Sequence, residues 1–368
     1  LEGKDLNRLR VGIIGSGMAF EKLHYPAYQE LADKYEIVAI CDLDRFKAEK
    51  WATKIGLDLQ NVYTDYREIA ARKDIDLFDI MVPIEKNYEV TDAVASIAGK
   101  PIICEKPLAP NLKQARAHAE LPRKYGIPIM IAENYRHNEE IEIIRDMVRT
   151  KKVGDIFYFI QNRVVNFPED MLHDKFPARE WRQYADFRGG ALLDTGVHDL
   201  AALRHIFGAV DRVQAFGREQ MMNFAPYSVV CVNILFKSGL VGTFSFFSAG
   251  KEMQRPLIGL RIFGSTGMIY LEERDCGTIN VSHNDGAHEL IPYRPQRGYY
   301  NELLNFYQAA MGKEPISVTP EMEFGDAKMI FDVIKSIEEE KIIEVDRSYD
   351  YRPIYQPAEE NDSYHHQL

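Results

Sequence analysis

Leu9-Arg10-Val11-Gly12-Ile13-Ile14-Gly15-Ser16-Gly17 decides the fold. An apolar run with strand character leads straight into two glycines separated by one residue. Phe20, Leu23, Ala27 and Leu31 then recur at helical spacing, with Pro26 expected to kink or restart the helix. Strand, glycine pair and helix in that order form a dinucleotide fingerprint. Gly15 permits the tight turn, and Gly17 lets backbone N–H groups approach a pyrophosphate at the helix N-terminus. Ser16, Met18 and Ala19 share this cofactor loop. Phe20 stands where a third small residue is usual, which predicts a wider helix–strand contact or a local rearrangement.

Outward from this stretch, strands and helices alternate. Glu36–Cys41 reads as a second strand ending in Asp42, at the spacing of the acid that binds a ribose. A carboxylate there accepts from the 2′- and 3′-hydroxyls and repels a 2′-phosphate, which favours NAD over NADP. Asp76–Val82 is a strand ending at Pro83. Val90, Ala93, Val94 and Ile97 define one helix face, stopped by Gly99. Pro101-Ile102-Ile103-Cys104 is a buried strand ending abruptly in Glu105-Lys106-Pro107. Ligands bind outside the carboxyl ends of strands in open α/β sheets, so Lys106 is a candidate for chemistry. A helix over about 111–125 and a strand over 127–132 lead into Glu133-Asn134-Tyr135-Arg136. The expected first domain is a doubly wound parallel Rossmann sheet over residues 6–134.

After Gly154 the pattern changes to strand-like runs joined by hairpin signals, including Lys237-Ser238-Gly239 and Gly264-Ser265-Thr266-Gly267. Two helices close this half, the second capped by Thr319 with Pro320 in its first turn. The expected second domain, residues 135–348, is α+β: a mainly antiparallel open sheet with helices on one face, built for substrate binding and oligomerisation. A polar tail covers residues 349–368. Within the second half, Gly189-Gly190 precedes Asp194-Thr195-Gly196-Val197-His198. Asp194 and His198 are four apart, so a regular helix puts them on one face, an arrangement suited to a general base. The other reading of the pair is a plain surface interaction. Arg136, Arg163, Lys175, Arg179, Arg182 and Arg188 add positive charge around the expected pocket.

These segments resemble the Gfo/Idh/MocA oxidoreductases. The residues that carry the resemblance are Gly15-Ser16-Gly17 with His24-Tyr25-Pro26, the Glu105-Lys106-Pro107 triplet, and Gly189-Gly190 followed by Asp194, Gly196 and His198. The resemblance implies that Lys106, Asp194 and His198 converge beside a nicotinamide. Lys106 would stabilise the reacting oxygen, His198 would take the hydroxyl proton, and Asp194 would orient the imidazole. It also implies that Pro83, Glu105, Trp181 and Arg182 lie at the cofactor and that Asn134 and Arg136 lie at the substrate. Asn87 is expected at the cofactor ribose by its position, and Arg163 at the substrate by its charge. The segment Pro83-Ile84-Glu85-Lys86-Asn87 departs from the family pattern, with Asn87 where histidine is usual. The expected activity is NAD-dependent hydride transfer at a secondary alcohol or ketone of a sugar, cyclitol or sugar acid. Two alternatives are an NAD-dependent glycoside hydrolase using transient oxidation, and a non-catalytic dinucleotide or sugar sensor.

Composition narrows the partners. The 368 residues carry 45 Lys+Arg against 56 Asp+Glu, a net charge of −11, which argues against nucleic acid or an acidic membrane. No apolar run approaches about 18 residues, and the first residues show no signal-peptide pattern. Cys41, Cys104 and Cys231 read as buried core thiols, which points to a cytoplasmic protein, and no metal site is expected. Phe244, Phe246 and Phe247 are assigned to the open face of the sheet, predicting a homodimer or homotetramer.

Overall fold

The computed structural model describes residues 8–165, 188–219, 227–247 and 258–345. Its first sheet contains six parallel strands: β1 (Leu9–Ile14), β2 (Tyr35–Cys41), β3 (Val62–Tyr63), β4 (Leu77–Ile80), β5 (Ile102–Glu105) and β6 (Ile129–Ala132). Their spatial order is β3-β2-β1-β4-β5-β6, so the winding reverses between β1 and β4. That reversal opens a crevice at the carboxyl ends of the strands, where such folds bind ligands. Strands β4, β5 and β6 are buried along their whole length, which explains why they read as unbroken apolar runs.

Helices α1 (Tyr25–Glu30), α2 (Arg45–Ile55), α3 (Tyr66–Ala70), α4 (Ile84–Ala98), α5 (Leu112–Ala119) and α6 (Leu121–Tyr125) cover this sheet. The anomaly at Phe20 has a local solution. Phe20–His24 forms a π-helical turn, a widening that accommodates one bulky residue, and α1 restarts at Tyr25 with Pro26 in its first turn. Phe20 is fully buried, with its ring 4.8 Å from Trp51 and 5.6 Å from Tyr25. The expected rearrangement is therefore present.

The second sheet has nine strands: β7 (Ile156–Val164), β8 (Val210–Glu219), β9 (Tyr227–Phe236), β10 (Val241–Phe247), β11 (Gly259–Gly264), β12 (Gly267–Leu271), β13 (Thr278–His283), β14 (His288–Pro292) and β15 (Ile343–Glu344). All neighbours are antiparallel except β7 with β10. Helices α7 (Glu139–Arg149), α8 (Val197–Phe207) and α10 (Pro320–Glu339) pack on one face, while α9 (Gly298–Ala310) reaches back to the first domain. Leu303 and Phe306 of α9 join the core around β1, and Ile131 N–H donates to the Val318 carbonyl at 3.0 Å. These returns fix the second domain against the carboxyl ends of the first sheet.

Two expectations about the second sheet are corrected. Phe244 and Phe246 are fully buried beneath the helices, because alternation along β10 puts Val241, Thr243 and Ser245 on the open side instead. The same period places Cys231 of β9 among the exposed residues, whereas Cys41 and Cys104 are buried. Residues 349–368 lie outside the described residues.

Candidate functional site

Two cavities meet at the domain seam. The first, about 730 Å³, follows the crevice from Gly15, Gly17 and Asp42 past Pro83 to Glu105, Lys106 and His198. The second, about 490 Å³, opens over the other domain beside Asn134, Tyr135, Arg163 and Arg274. Lys106, Asp194, His198 and Tyr299 line both. Lys106, Asp194 and His198, singled out in the sequence, thus stand together at the junction of the cavities.

The first cavity suits a dinucleotide. At Gly15, φ is +95° and a Cβ would lie 2.2 Å from the Met81 carbonyl oxygen, so only glycine fits between β1 and β4. A Cβ at Gly17 would meet open space, which leaves its backbone accessible from the cavity. Met18 and Ala19 also line the wall. Asp42 accepts from Ser16 N–H at 2.8 Å and Ser16 Oγ at 2.9 Å, tying the glycine loop to the end of β2.

Lys106 follows β5, and its peptide bond to Pro107 is cis. Its ammonium donates to the Asp194 carbonyl at 2.5 Å and lies 3.4 Å from Asp194 Oδ1. Asn87, buried in α4, donates to the carbonyls of Glu105 and Pro107, the latter at 2.9 Å. This corrects its expected place at the cofactor: Asn87 clamps the lysine turn from behind. Beneath that turn His24 is sandwiched between Asp79 Oδ2 at 2.8 Å and Glu105 Oε1 at 3.0 Å. Burial pulls its pKa down, but the two carboxylates outweigh that effect and hold it well above the ordinary imidazole value. Glu105 Oε2 in turn accepts from Lys106 N–H at 3.1 Å.

Asp194 lies in a second π-helical turn, Leu192–Gly196, and His198 in the first turn of α8. The widened turn breaks the i,i+4 register assumed from the sequence. Asp194 engages Lys106, whereas Nδ1 of His198 lies 2.7 and 2.9 Å from the two oxygens of Glu133. Glu133, which the sequence did not single out, thus makes an orienting contact with the imidazole at Nδ1. Tyr135 stacks on the imidazole, with centroids 4.3 Å apart and planes 13° from parallel. Burial lowers the His198 pKa, opposed by Glu133 and assisted by Lys106 and Arg274. Burial would raise the Glu133 pKa, but His198, Lys106 and the Tyr135 N–H hold it below the usual carboxylate value. The pair therefore rests as neutral imidazole and carboxylate.

Glu133 was missed as a functional residue, although it follows β6 as Lys106 follows β5. An acid at the end of a buried parallel strand was the available signal. Of the substrate candidates, Asn134 and Arg163 line the second cavity, with Arg163 Nε 3.8 Å from Asp199 Oδ2. Arg136 does not. It is buried and donates to Asp326 Oδ2 at 2.6 Å, in a cluster that includes Arg204, so its charge is used in packing. Trp181 and Arg182, with Lys175 and Arg179, lie outside the described residues. Arg188 pairs with Glu338 at the surface. Among the described residues no group of three acids, histidines or cysteines is arranged for a metal, and no helix is long and apolar enough to cross a membrane.

Comparison with known proteins agrees with this architecture. Residues 9–133 match the oxidoreductase family with an NAD-binding Rossmann fold, and residues 141–270 match the GFO/IDH/MocA C-terminal domain. D-apiose dehydrogenase of Paraburkholderia graminis is 25% identical over 72% of this chain and 68% of its own length. Trans-1,2-dihydrobenzene-1,2-diol dehydrogenase of Bos taurus is 23% identical over 89% of this chain and 96% of its own. Among solved structures, levoglucosan dehydrogenase in complex with NADH superposes with a TM-score of 0.81 at 21% identity, covering 92% of this chain and 99% of that one.

Proposed function

The chain belongs to the Gfo/Idh/MocA family of NAD-binding oxidoreductases, and from that premise we propose that it oxidises a secondary alcohol of a sugar, cyclitol or sugar acid, or reduces the corresponding ketone. The observation that carries this reading is the meeting of a dinucleotide-sized cavity and a polar second cavity at Lys106, Asp194 and His198. Gly15, Ser16, Gly17 and Asp42 would hold NAD, which when bound accepts or returns the hydride. The remaining steps belong to this chain. His198, neutral at rest, takes the proton of the substrate hydroxyl. Lys106 donates a hydrogen bond to the same oxygen and stabilises its developing negative charge. Asp194 anchors the ammonium so that it points at the junction.

Dehydrogenase names among the relatives support this class, and Lys106→Ala tests the site. Turnover should fall about 10²–10³-fold, the usual loss for one such donor, while NADH binding by fluorescence stays within about twofold. A variant as active as the parent refutes the assignment. A screen of neutral and acidic polyols at the nicotinamide absorbance identifies the substrate. As a further part of this reading, the helix-free side of the nine-stranded sheet, with Phe216 and Val241 exposed, joins two copies of the chain in a cytoplasmic homodimer or homotetramer. Light scattering that returns a monomer removes that element.

A further inference from the structure

Glu133 poses a question that the Lys-Asp-His reading leaves open: which nitrogen of His198 is the base. Both carboxylate oxygens of Glu133 lie within hydrogen-bond distance of Nδ1, and the carboxylate is wholly buried. An ionised carboxylate has no proton to give, so the shared proton must sit on Nδ1. That leaves Nε2 bare.

Glu133 is itself held. Its Oε1 accepts the Tyr135 N–H at 3.0 Å, within the short turn Asn134–His137 that follows β6. Tyr135 then lies flat against the imidazole, so one turn supplies both the acceptor at the ring edge and the plate on its face. Asp194 is engaged with the Lys106 ammonium. The two carboxylates therefore divide the work, Asp194 serving the lysine and Glu133 the histidine.

We propose that Glu133 is the positioning residue of this site, fixing His198 as the Nδ1–H tautomer so that Nε2 alone accepts the substrate proton. This assignment rests on the dehydrogenase reading for its kinetic consequence, but not for its structural one. Oxidation of the alcohol moves the hydroxyl proton to Nε2 as the hydride leaves the carbon, giving an imidazolium whose charge Glu133 balances. The proton returns to solvent before the next turnover. The charged groups facing the imidazole are Glu133 from the end of β6, Lys106 and Asp194 at the junction, Asp199 from α8 and Arg274 after β12. Both cations disfavour the imidazolium, and Glu133 is the acid in direct contact with it.

The test is ¹⁵N NMR of histidine-labelled protein with NADH bound, using H198Q to assign the resonance. A protonated Nδ1 and a bare Nε2 in the wild type support the proposal, and a protonated Nε2 overturns it. In E133Q the side-chain amide can donate to Nδ1, so the tautomer should shift toward Nε2–H. In that variant kcat should fall on the order of 10³-fold with KM little changed, and the acid limb of the kcat/KM profile should move to lower pH. E133D, which keeps the charge, should recover part of the loss. Unchanged tautomer and pH profile in E133Q overturn the assignment. If E133Q does not fold, the wild-type tautomer and E133D decide. Should no polyol be oxidised while the wild type shows Nδ1–H and E133Q shifts it, the dehydrogenase reading fails and the positioning role stands.

Discussion

His24 and His198 approach the Glu105-Lys106 turn from opposite domains, and each is held by carboxylates, yet they rest in different charge states. His24 lies between two acids, Asp79 and Glu105, with no solvent exposure. Its pKa is raised, and it acts as a fixed cation under the turn. His198 has Glu133 on one side but Lys106 and Arg274 nearby, and its pKa is lowered. The same ring is a structural charge in one place and a neutral proton acceptor in the other. The ratio of acids to cations around each ring decides between them, because burial alone pushes both toward neutrality.

Exchanging each ring for glutamine breaks the comparison most directly. H24Q leaves Asp79 and Glu105 facing each other without their shared cation. Removing one partner of a buried pair costs about 3–5 kcal/mol, so the melting temperature should drop sharply. H198Q removes the proton acceptor at a site still partly open to solvent. It should lower turnover by about 10²–10⁴-fold, while the melting temperature falls less than in H24Q because the lost ring is neutral and the glutamine amide can still donate to Glu133. If H198Q melted early and H24Q did not, the assignment of structural and chemical roles would be reversed.

Acidity separates the two histidines next. The His24 pKa is higher in the fold than in the unfolded chain. Its contribution is therefore complete below about pH 6.5 and is lost as pH rises through the raised value. Buried Glu302 and Glu323, whose pKa values are also raised well above the ordinary range by burial, weaken the fold in the same direction. His198 acts with the opposite sign: its lowered pKa costs stability as pH falls from about 6.5 toward the folded value. Melting temperature against pH should thus decline on the alkaline side in the parent, and less steeply in H24Q. An identical alkaline limb in the two proteins would show that His24 carries no charge in the fold.

The sequence made one half of this comparison legible and hid the other. Gly15, Gly17, Asp42 and Lys106 sit at ends of strands whose apolar runs mark their positions, so local pattern placed them. Asp194 and His198 were found as a pair, but their relation depends on a π-helical turn that leaves no periodic signal. His24 and Glu133 acquire their roles from residues 55 and 65 positions away, a distance that local pattern does not bridge. Strands β14 and β15 escaped for a simpler reason. The first has no fully buried residue, and the second, with only Ile343 buried, is two residues long at a sheet edge, too short for alternation to show.

The smallest effect is expected at Asn87, on the turn that both histidines support. Asn87→Ala removes the donor to the Glu105 and Pro107 carbonyls without touching the charges of His24 or His198. A buried acceptor left without its donor costs about 1–3 kcal/mol, and the turn can relax by letting Lys106 shift. Displacement of the ammonium should lower kcat about tenfold, less than removing it. The KM for NAD should stay unchanged, because Asn87 is absent from the walls of the cofactor cavity. A raised KM with normal kcat would return Asn87 to the cofactor. A lowered kcat with unaltered KM makes it the rear clamp of the lysine, acting on the oxygen side of the reaction while His198 acts on the proton.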